Sequence, residues 1–215
     1  MKNWLIAHRG AQCDGRENTI AAFGACQKYP LGWVELDLHT TKDGVVICHH
    51  DCNINELNIA TTSYKDLKII DGQLTTFKEA TKALDNIPLI VEIKPTGTAK
   101  HIINELYDHP AWLVASFNIE AIKELISLGV DKKRIYLLQR KNSVGHINNA
   151  LANCLGGVGV NQRLLTPRFY LKAVKNGLSV YTYTVNSPWQ AKLFRSLYPK
   201  IKICSDQVDL LQNIK

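Results

Sequence analysis

Short apolar runs rich in β-branched residues alternate along the chain with longer amphipathic stretches. The runs have the length of buried strands, and the longer stretches repeat apolar residues every three or four positions, as helices do. The predicted strands are Trp4–Ala7, Trp33–Leu38, Leu89–Ile93, Trp112–Ser116, Arg134–Leu138, Gly157–Val160, Leu178–Tyr183 and Ile201–Cys204. The predicted helices are Thr19–Lys28, Thr76–Leu84, Thr98–Tyr107, Ile119–Leu128, Val144–Cys154, Pro167–Lys175, Trp189–Leu197 and Val208–Gln212. The pattern predicts an α/β protein.

Eight strands, each followed by a helix, predict a single (β/α)8 barrel, or TIM barrel, over residues 1–215. One stretch interrupts the alternation. The turn Lys42-Asp43-Gly44 leads into a short hairpin strand at Val45–Cys48, and residues 53–75 form a polar connector. We therefore expect a short insertion after the second barrel strand and no second domain. An open, doubly wound sheet is the structural alternative, because strand number alone does not establish closure.

The net charge and the cysteine content limit the partners and the cellular compartment that we expect for this protein. Lys and Arg number 26 against 19 Asp and Glu, which gives a formal net charge of +7. The basic residues are scattered and form no stripe interleaved with aromatic residues, so nucleic acid is not the expected partner. The six cysteines form no CxxC pair, which favours reduced thiols. The N-terminal apolar run is too short for a signal peptide or a membrane span, so we expect a cytoplasmic protein.

Charged residues and histidines gather near the ends of the first three predicted strands. They are His8 and Arg9 after the first strand, Glu35 and Asp37 at the end of the second, His50 in the insertion, and Glu92 and Lys94 at the end of the third. Pairs two residues apart on a strand point to the same face. In a barrel of this type the carboxyl ends of the strands form the active site, so we expect these side chains to meet.

Together these side chains are what metal-assisted cleavage of a phosphodiester requires. Carboxylates bind a hard cation, basic side chains bind a phosphate, and histidines transfer protons near neutral pH. The alternative is that Glu35 and Asp37 are ordinary carboxylates at a strand end. That interpretation is weaker, because buried carboxylates need partners and Glu92 supplies a third ligand for the same cation.

Nine short strings occur in a fixed order along nearly the whole chain. They are His8-Arg9-Gly10, Glu17-Asn18-Thr19, Glu35-Leu36-Asp37, Thr41-Lys42-Asp43-Gly44, His50-Asp51, Glu92-Ile93-Lys94, Ser116-Phe117, Tyr183-Thr184-Val185-Asn186 and Ser205-Asp206. In this order the chain resembles the glycerophosphodiester phosphodiesterase family. A lone His-Asp pair would carry no such meaning, but the set is specific.

The resemblance implies a cation site. Glu35, Asp37 and Glu92 would bind one divalent cation, which would hold phosphate oxygens and polarise the phosphorus. Three carboxylates without a close thiolate favour Mg²⁺ or Ca²⁺ over Zn²⁺.

The resemblance also implies roles for the basic side chains and the histidines. Arg9 and Lys94 would bind the phosphate and neutralise its charge. His8 and His50 would act as general acid and general base. Which of the two acts first is left open by the sequence.

The implied reaction is hydrolysis of a small-molecule glycerophosphodiester to sn-glycerol 3-phosphate and an alcohol, as in salvage of deacylated phospholipid. The family's usual route is attack by the glycerol 2-hydroxyl on phosphorus, which gives a cyclic phosphate that water opens. The sequence does not distinguish this route from direct attack by water. It also leaves open the headgroup and the oligomeric state.

One departure from the family pattern lies near the expected mouth of the barrel. Arg16 stands where the family commonly has Pro before the Glu-Asn-Thr string. Because Pro presets the backbone, this replacement predicts a looser loop that carries an added cation.

Three other interpretations compete. The string Cys48-His49-His50-Asp51-Cys52 has ligand types that zinc prefers, but an extended segment sends neighbouring side chains to opposite sides. A phospholipase D-like activity on lysophospholipids would use the same residues and would need an apolar lip for an acyl chain. A non-catalytic phosphate-binding barrel would be favoured if one of the seven candidate residues were missing, and all seven are present.

Overall fold

The computed structural model describes residues 2–139 and 144–214, with the backbone only at position 144. Its strands are β1 Lys2–Ala7, β2 Leu31–Thr40, β3 Val46–Cys48, β4 Asn53–Ile54, β5 Leu57–Asn58, β6 Thr75–Thr76, β7 Leu89–Ile93, β8 Trp112–Ser116, β9 Ile135–Gln139, β10 Gly157–Asn161, β11 Ser179–Tyr183 and β12 Lys202–Ser205. Its helices are α1 Ile20–Ala25, α2 Tyr64–Ile70, α3 Phe77–Leu84, α4 Ala99–Asp108, α5 Ile119–Ser127, α6 Val144–Ala152, α7 Pro167–Lys175, α8 Pro188–Leu197 and α9 Val208–Leu211. Helices follow the barrel strands, as the sequence pattern predicted.

Eight parallel strands close into a barrel. Going round it, the strand order is β1-β12-β11-β10-β9-β8-β7-β2. The first strand pairs in parallel with both β12 and β2, and this double pairing closes the sheet. The predicted (β/α)8 barrel is therefore confirmed, and the open-sheet alternative is wrong.

Side-chain caps fix where several helices begin at the carboxyl end of the strands. Thr76 and Glu79 form a reciprocal capping box at the start of α3. Thr166 and Ser187 cap α7 and α8, each followed by a proline in the first turn. The predicted helix Thr19–Lys28 is interrupted, because α1 ends at Ala25 and a short 3-10 turn follows.

Two apolar layers separate the inside of the barrel from its outside. The larger layer packs the outward faces of the strands against the helices. The smaller one fills the interior and consists of Ile6, Ile90, Ala115, Tyr136, Leu138, Tyr181 and Cys204. A Cβ atom on Gly157 would lie 2.5 Å from the Tyr136 ring, so the glycine leaves room for that ring. With the interior filled in this way, polar chemistry is confined to the carboxyl end of the strands.

The insertion after β2 extends the sheet and has an apolar cluster of its own. Strand β3 pairs antiparallel with β2, and β6 pairs with β3, which confirms the predicted hairpin strand. The prediction that residues 53–75 form only a polar connector is wrong. This segment contains β4, β5 and α2, and it packs on a cluster composed of Ile47, Ile54, Ile59, Leu67 and Leu74. Its apolar residues serve short elements and follow no single period, so no pattern reveals them.

The loop that contains Arg16 is tied to the insertion. The Arg16 guanidinium lies 2.7 Å from the carboxylate of Asp71, at the end of α2. The ion pair therefore anchors the loop at the position where the sequence predicted a looser one.

Two further structural facts bear on the chemistry. All six cysteines are unpaired; Cys26, Cys48 and Cys204 are buried, and Cys52 and Cys154 are exposed. Within residues 2–139 and 144–214, none of the helices has both the length and the apolar character needed to cross a bilayer.

The entry into β10 generates a test of packing. A Cβ atom on Gly156 would lie 1.9 Å from the backbone oxygen of Lys133, and backbone cannot move aside as a side-chain tip can. We expect Gly156→Ala to lower the free energy of unfolding by about 1–3 kcal/mol, as overpacking does. Denaturant unfolding followed by circular dichroism measures the change.

The matched control is Gly24→Ala, because a Cβ atom there meets nothing within 4 Å. It lies in α1, where alanine should stabilise the protein by up to about 1 kcal/mol. Equal effects of the two substitutions would contradict the close approach at Gly156.

Candidate active site

An open cavity lies at the carboxyl end of the barrel strands. It is lined by His8, Arg9, Glu35, His50, Glu92, Lys94, Phe117, Leu138, Tyr181, Tyr183, Thr184 and Cys204. Six of the seven residues singled out by the sequence thus share one cavity. The seventh, Asp37, lies behind Arg9 and Lys94 and pairs with both. The structure therefore brings the whole predicted set together.

Three buried carboxylates form a compact cluster on two neighbouring strands. Glu35 and Asp37 lie on β2, and Glu92 lies on β7 directly opposite Asp37 in the strand register. One oxygen of each lies within 4.8 Å of the others, close enough for a single ion to contact all three. An all-oxygen, anionic set of this kind fits a hard divalent cation such as Mg²⁺ or Ca²⁺.

The two predicted phosphate-binding cations are paired with these carboxylates. Arg9 Nε lies 3.0 Å from Asp37, and the same guanidinium lies 2.9 Å from Glu17. Lys94 Nζ lies 2.8 Å from Asp37 and 2.6 Å from Glu92. Two cations therefore balance most of the buried negative charge while they line the cavity.

The pairing distributes protons unevenly over the cluster. Burial works against the charged form of Asp37, but Lys94 and Arg9 outweigh it and hold the pKa of this carboxyl below its usual value. Burial, with the charge of Asp37 added, raises the pKa of Glu35 to about 8. The same two causes raise the pKa of Glu92. A divalent cation that binds here must displace protons from the carboxyl groups.

His8 is held between two acidic side chains. Its Nδ1 donates to the Asp206 carboxylate at 2.5 Å, and its Nε2 lies 3.9 Å from Glu35. The Asp206 partner assigns the ring proton to Nδ1 and leaves Nε2 directed at the cavity. Burial alone would lower the pKa of His8, but the hydrogen bond to Asp206 and the charge of Glu35 raise it above the ordinary value.

His50 lies near positive charges, and its pKa is shifted in the direction opposite to that of His8. Burial lowers the pKa of His50, and the nearby charges of Lys94 and Arg9 lower it further. Its Nδ1 lies 2.9 Å from the carboxylate of Asp51. The two imidazoles in one cavity therefore have pKa values shifted in opposite directions, which is the arrangement an acid–base pair needs.

A supporting layer was missed by the sequence reasoning, although part of it lies within the nine strings. The Asn18 amide donates to the Asp37 carboxylate at 3.0 Å, and its oxygen accepts from the Asp37 backbone N–H. Gln12 and Asn186 each donate to Asp206 at 2.9 Å and so hold the partner of His8. Asn18 and Asn186 lie within the nine strings, but a side-chain amide can pair with many groups, and the pattern does not show which carboxylate each one contacts.

Cys204 was also missed. Its thiol lies in the cavity, with the ligating atoms of His8 and Glu35 within 4.8 Å. Closure of the barrel places β12 beside β1 and so brings this thiol near Glu35. Burial raises the pKa of the Cys204 thiol, which keeps it protonated in the absence of a metal ion.

The string Cys48–Cys52 forms no zinc site in the part of the chain that the structure describes. Neither of the two groups of metal-ligating side chains found within residues 2–139 and 144–214 includes a member of it. Cys48 is buried in β3, whereas Cys52 is exposed. The strand ends at Cys48 and the chain bends over residues 50–52, so the buried thiol and the exposed one do not converge.

A second open cavity, of about 840 Å³, adjoins the first. It is lined by His39, His50, Asp51, Cys52, Asn58, Ala60, Lys94 and Pro95. His50 and Lys94 line both cavities, so the two form adjacent compartments. Residues of the insertion supply most of the wall of the second one.

Comparison with known proteins identifies close resemblances. A family model described as the glycerophosphoryl diester phosphodiesterase family matches residues 8–135. A glycerophosphodiester phosphodiesterase of Bacillus subtilis is 23% identical over 252 residues, covering 98% of this chain and 85% of that protein. A lysophospholipase D of Homo sapiens is 30% identical over 111 residues, covering 41% of this chain and 35% of that protein. The match thus spans about a third of the human relative's length.

Solved structures share the whole fold. A phosphodiesterase of Oleispira antarctica in complex with the product sn-glycerol-3-phosphate superimposes with a TM-score of 0.85 at 20% identity, covering 97% of this chain and 94% of that one. A glycerophosphodiester phosphodiesterase of Thermotoga maritima gives a TM-score of 0.85 at 22% identity, with 99% and 98% coverage. The barrel with its insertion is therefore the same fold.

The charge balance in the cluster generates a test of stability. Lys94→Met removes the cation that faces Asp37 and Glu92 while it keeps most of the side-chain volume. We expect the variant to lose about 3–5 kcal/mol of unfolding free energy in EDTA, because it leaves buried carboxylates unpaired. Mg²⁺ or Ca²⁺ should restore part of the loss. Thermal unfolding with and without each cation measures both.

Lys123→Met is the control, since Lys123 makes only an exposed ion pair with Glu120. Its stability should change by no more than about 0.5 kcal/mol, with or without cation. If Lys94→Met loses the same stability in EDTA and in saturating cation, the carboxylates do not bind the ion.

Proposed function

The chain belongs to the glycerophosphoryl diester phosphodiesterase family, as its nine strings predicted, and on that premise we propose that it hydrolyses glycerophosphodiesters to sn-glycerol 3-phosphate and an alcohol. One observation carries the proposal. A three-carboxylate cluster, two basic side chains and two histidines with oppositely shifted pKa values converge at one cavity. Each group is needed for phosphodiester cleavage, and a site that only bound phosphate would not need the histidine pair.

Glu35, Asp37 and Glu92 are the residues that would hold one Mg²⁺ or Ca²⁺. When bound, the ion would neutralise phosphoryl oxygens and make the phosphorus a better electrophile. Asn18 holds the Asp37 carboxylate from behind, and the Arg9 backbone N–H donates to Glu35 at 3.1 Å. These hydrogen bonds fix the direction of the ligand oxygens before an ion arrives.

Arg9 and Lys94 orient the phosphate and compensate its charge. Both line the cavity and are ion-paired on their inner side, so their positions are fixed before substrate binds. A preorganised cation stabilises charge in the transition state without rearrangement.

His50 accepts a proton from the attacking hydroxyl, and His8 donates a proton to the leaving alcohol. The lowered pKa of His50 keeps its ring neutral near pH 7, whereas the raised pKa of His8 favours the protonated ring. Asp51 and Asp206 orient the two rings through Nδ1. This assignment holds whether the attacking hydroxyl belongs to the glycerol or to water.

A lysophospholipid is the second candidate substrate. Part of the cavity lining is apolar and includes Phe117, Leu138 and Tyr181. The human relative is named a lysophospholipase D. This activity would use the same catalytic residues, so the substrate panel below includes a lysophospholipid.

The reaction is tested by release of glycerol 3-phosphate from glycerophosphocholine. We expect EDTA to abolish release and Mg²⁺ or Ca²⁺ to restore it, because phosphate and carboxylates share the cation. Glu35→Gln should remain inactive in saturating cation, whereas the exposed control Glu120→Gln should match the wild type. Release is measured with a coupled glycerol 3-phosphate assay.

Glycerophosphoethanolamine, glycerophosphoinositol, glycerophosphoserine, glycerophosphoglycerol and lysophosphatidylcholine complete the panel. Activity only on the last would favour the lysophospholipase D reaction. If folded protein in the presence of cation cleaves none of them, the chain is a phosphate-binding barrel and the proposal is wrong.

The acid–base assignment is tested by pH profiles of kcat/KM. Asp206 raises the pKa of His8, so Asp206→Asn should lower it. A general acid must be protonated, and the alkaline limb of the profile should therefore move to lower pH. Asp51→Asn should lower the pKa of His50, whose aspartate contact raises it. A general base must be deprotonated, so here the acidic limb should move to lower pH.

If the two variants move the opposite limbs, the roles of the histidines are exchanged. His8→Ala and His50→Ala provide the check on participation, since loss of a true acid or base lowers turnover by about 10²–10⁴-fold. A variant within about threefold of the wild type removes that histidine from the reaction.

A further inference from the structure

Three donors of different chemistry meet on the floor of the cavity, beside the carboxylate cluster. One ligating atom of each of His8, Glu35 and Cys204 lies within 4.8 Å of the others. Cys204 lies on β12 opposite Ile6 of β1, and its side chain belongs to the barrel interior beneath His8. The nitrogen, sulfur and oxygen donors thus come from the residue that follows β1, from β12 and from β2, and they lie close enough for one ion to contact all three.

The orientation of His8 is that of a metal ligand. Its Nδ1 is taken by Asp206, which is itself fixed by Gln12 and Asn186, and its Nε2 faces Glu35. Histidines that bind metals almost always donate their other ring N–H to a carboxylate in this way, which holds the ring and makes the free nitrogen more basic. The hydrogen bond between His8 and Asp206 therefore supports a metal site independently of the distances among the three donors.

The donor set differs in kind from the three carboxylates. Imidazole and thiolate are ligands that Zn²⁺ and Co²⁺ prefer, whereas Mg²⁺ and Ca²⁺ prefer oxygen alone. We propose that His8, Glu35 and Cys204 form a second cation site, selective for Zn²⁺, whose occupation inhibits the reaction. The cavity side of such an ion is open to water or to a phosphate oxygen.

The chemistry of binding involves no redox change. The Cys204 thiol releases its proton to solvent as the sulfur bonds to the ion, any proton on His8 Nε2 or on the Glu35 carboxyl is released as well, and Zn²⁺ stays divalent. His8 Nε2 gives its lone pair to the ion and can no longer carry a proton to or from substrate. Because Glu35 belongs to both groups of ligands, an excess of Mg²⁺ or Ca²⁺ should weaken the inhibition.

Binding is tested with Co²⁺, which reports a thiolate ligand by a charge-transfer absorption and tetrahedral geometry by its visible bands. The full-length protein is stripped with EDTA, dialysed and titrated with Co²⁺ alone. We expect about one equivalent of the thiolate absorption in the wild type and none in Cys204→Ala. His8→Ala should bind Co²⁺ about 10–100-fold more weakly. Thermal unfolding verifies that each variant is folded.

Cys52→Ala is the matched control, because Cys52 is an exposed thiol in the other string of Cys and His residues. It should retain the absorption. If Cys52→Ala loses the absorption and Cys204→Ala keeps it, or if the wild type shows none, the proposed site does not exist.

Inhibition is the second readout, and it alone depends on the proposed phosphodiesterase activity. At the Mg²⁺ concentration that gives the half-maximal rate of each protein, Cys204→Ala should raise the Zn²⁺ concentration for half-inhibition about 10–100-fold, relative to its own rate without Zn²⁺. Equal half-inhibition in wild type and Cys204→Ala would contradict inhibition through this site. If no substrate is cleaved at all, the proposed function fails, and the Co²⁺ spectrum still decides whether the site exists.

Discussion

Three carboxylates buried within 4.8 Å of one another repel strongly, and the upper end of the barrel is organised around that repulsion. Lys94 forms ion pairs with Asp37 and Glu92, and Arg9 forms a second ion pair with Asp37. The loop after β1 has left-handed backbone at both Arg9 and Asn18, with φ of 55° and 56°. Non-glycine residues adopt this conformation at a cost of about 1–3 kcal/mol each. The cost is offset because both side chains then reach Asp37.

The same electrostatic arrangement separates the two histidines. His8 lies on the acidic side of the cavity, near Glu35 and Asp206, and His50 lies on the side of Lys94 and Arg9. The same arrangement of charges therefore stabilises the buried carboxylates, forms a candidate cation site and shifts the pKa values of the two imidazoles in opposite directions. The barrel strands fix these positions more rigidly than loops could, since most of the groups lie on or beside strand ends.

The sequence predicted the features that depend on the local pattern of residues, such as which side chains share one face of a strand. Glu35 and Asp37 share a face because strand side chains alternate, and this holds in any parallel sheet. It did not predict the nearness of Cys204 to Glu35, because a predicted closed barrel gives the order of the strands but not the register that sets which side chains of β12, β1 and β2 meet. Nor could it predict that residues 53–75 hold an apolar cluster, since Ile54, Ile59 and Leu67 belong to elements too short to show a period. The ion pair between Arg16 and Asp71 was unpredictable for a related reason, because it depends on where the insertion packs.

The hydrogen bond between His8 and Asp206 joins residues 198 positions apart, on the loops that follow the first and last strands. A ribosome that has translated seven of the eight barrel strands has therefore already translated the three clustered carboxylates, Glu35, Asp37 and Glu92, but not Asp206, which orients His8. An incomplete nascent barrel can carry negative charge at its rim, yet it lacks the completed proton-transfer pair. On the proposed function, cleavage would begin only when the ring of strands is whole, so activity reports that the last strand has closed the barrel.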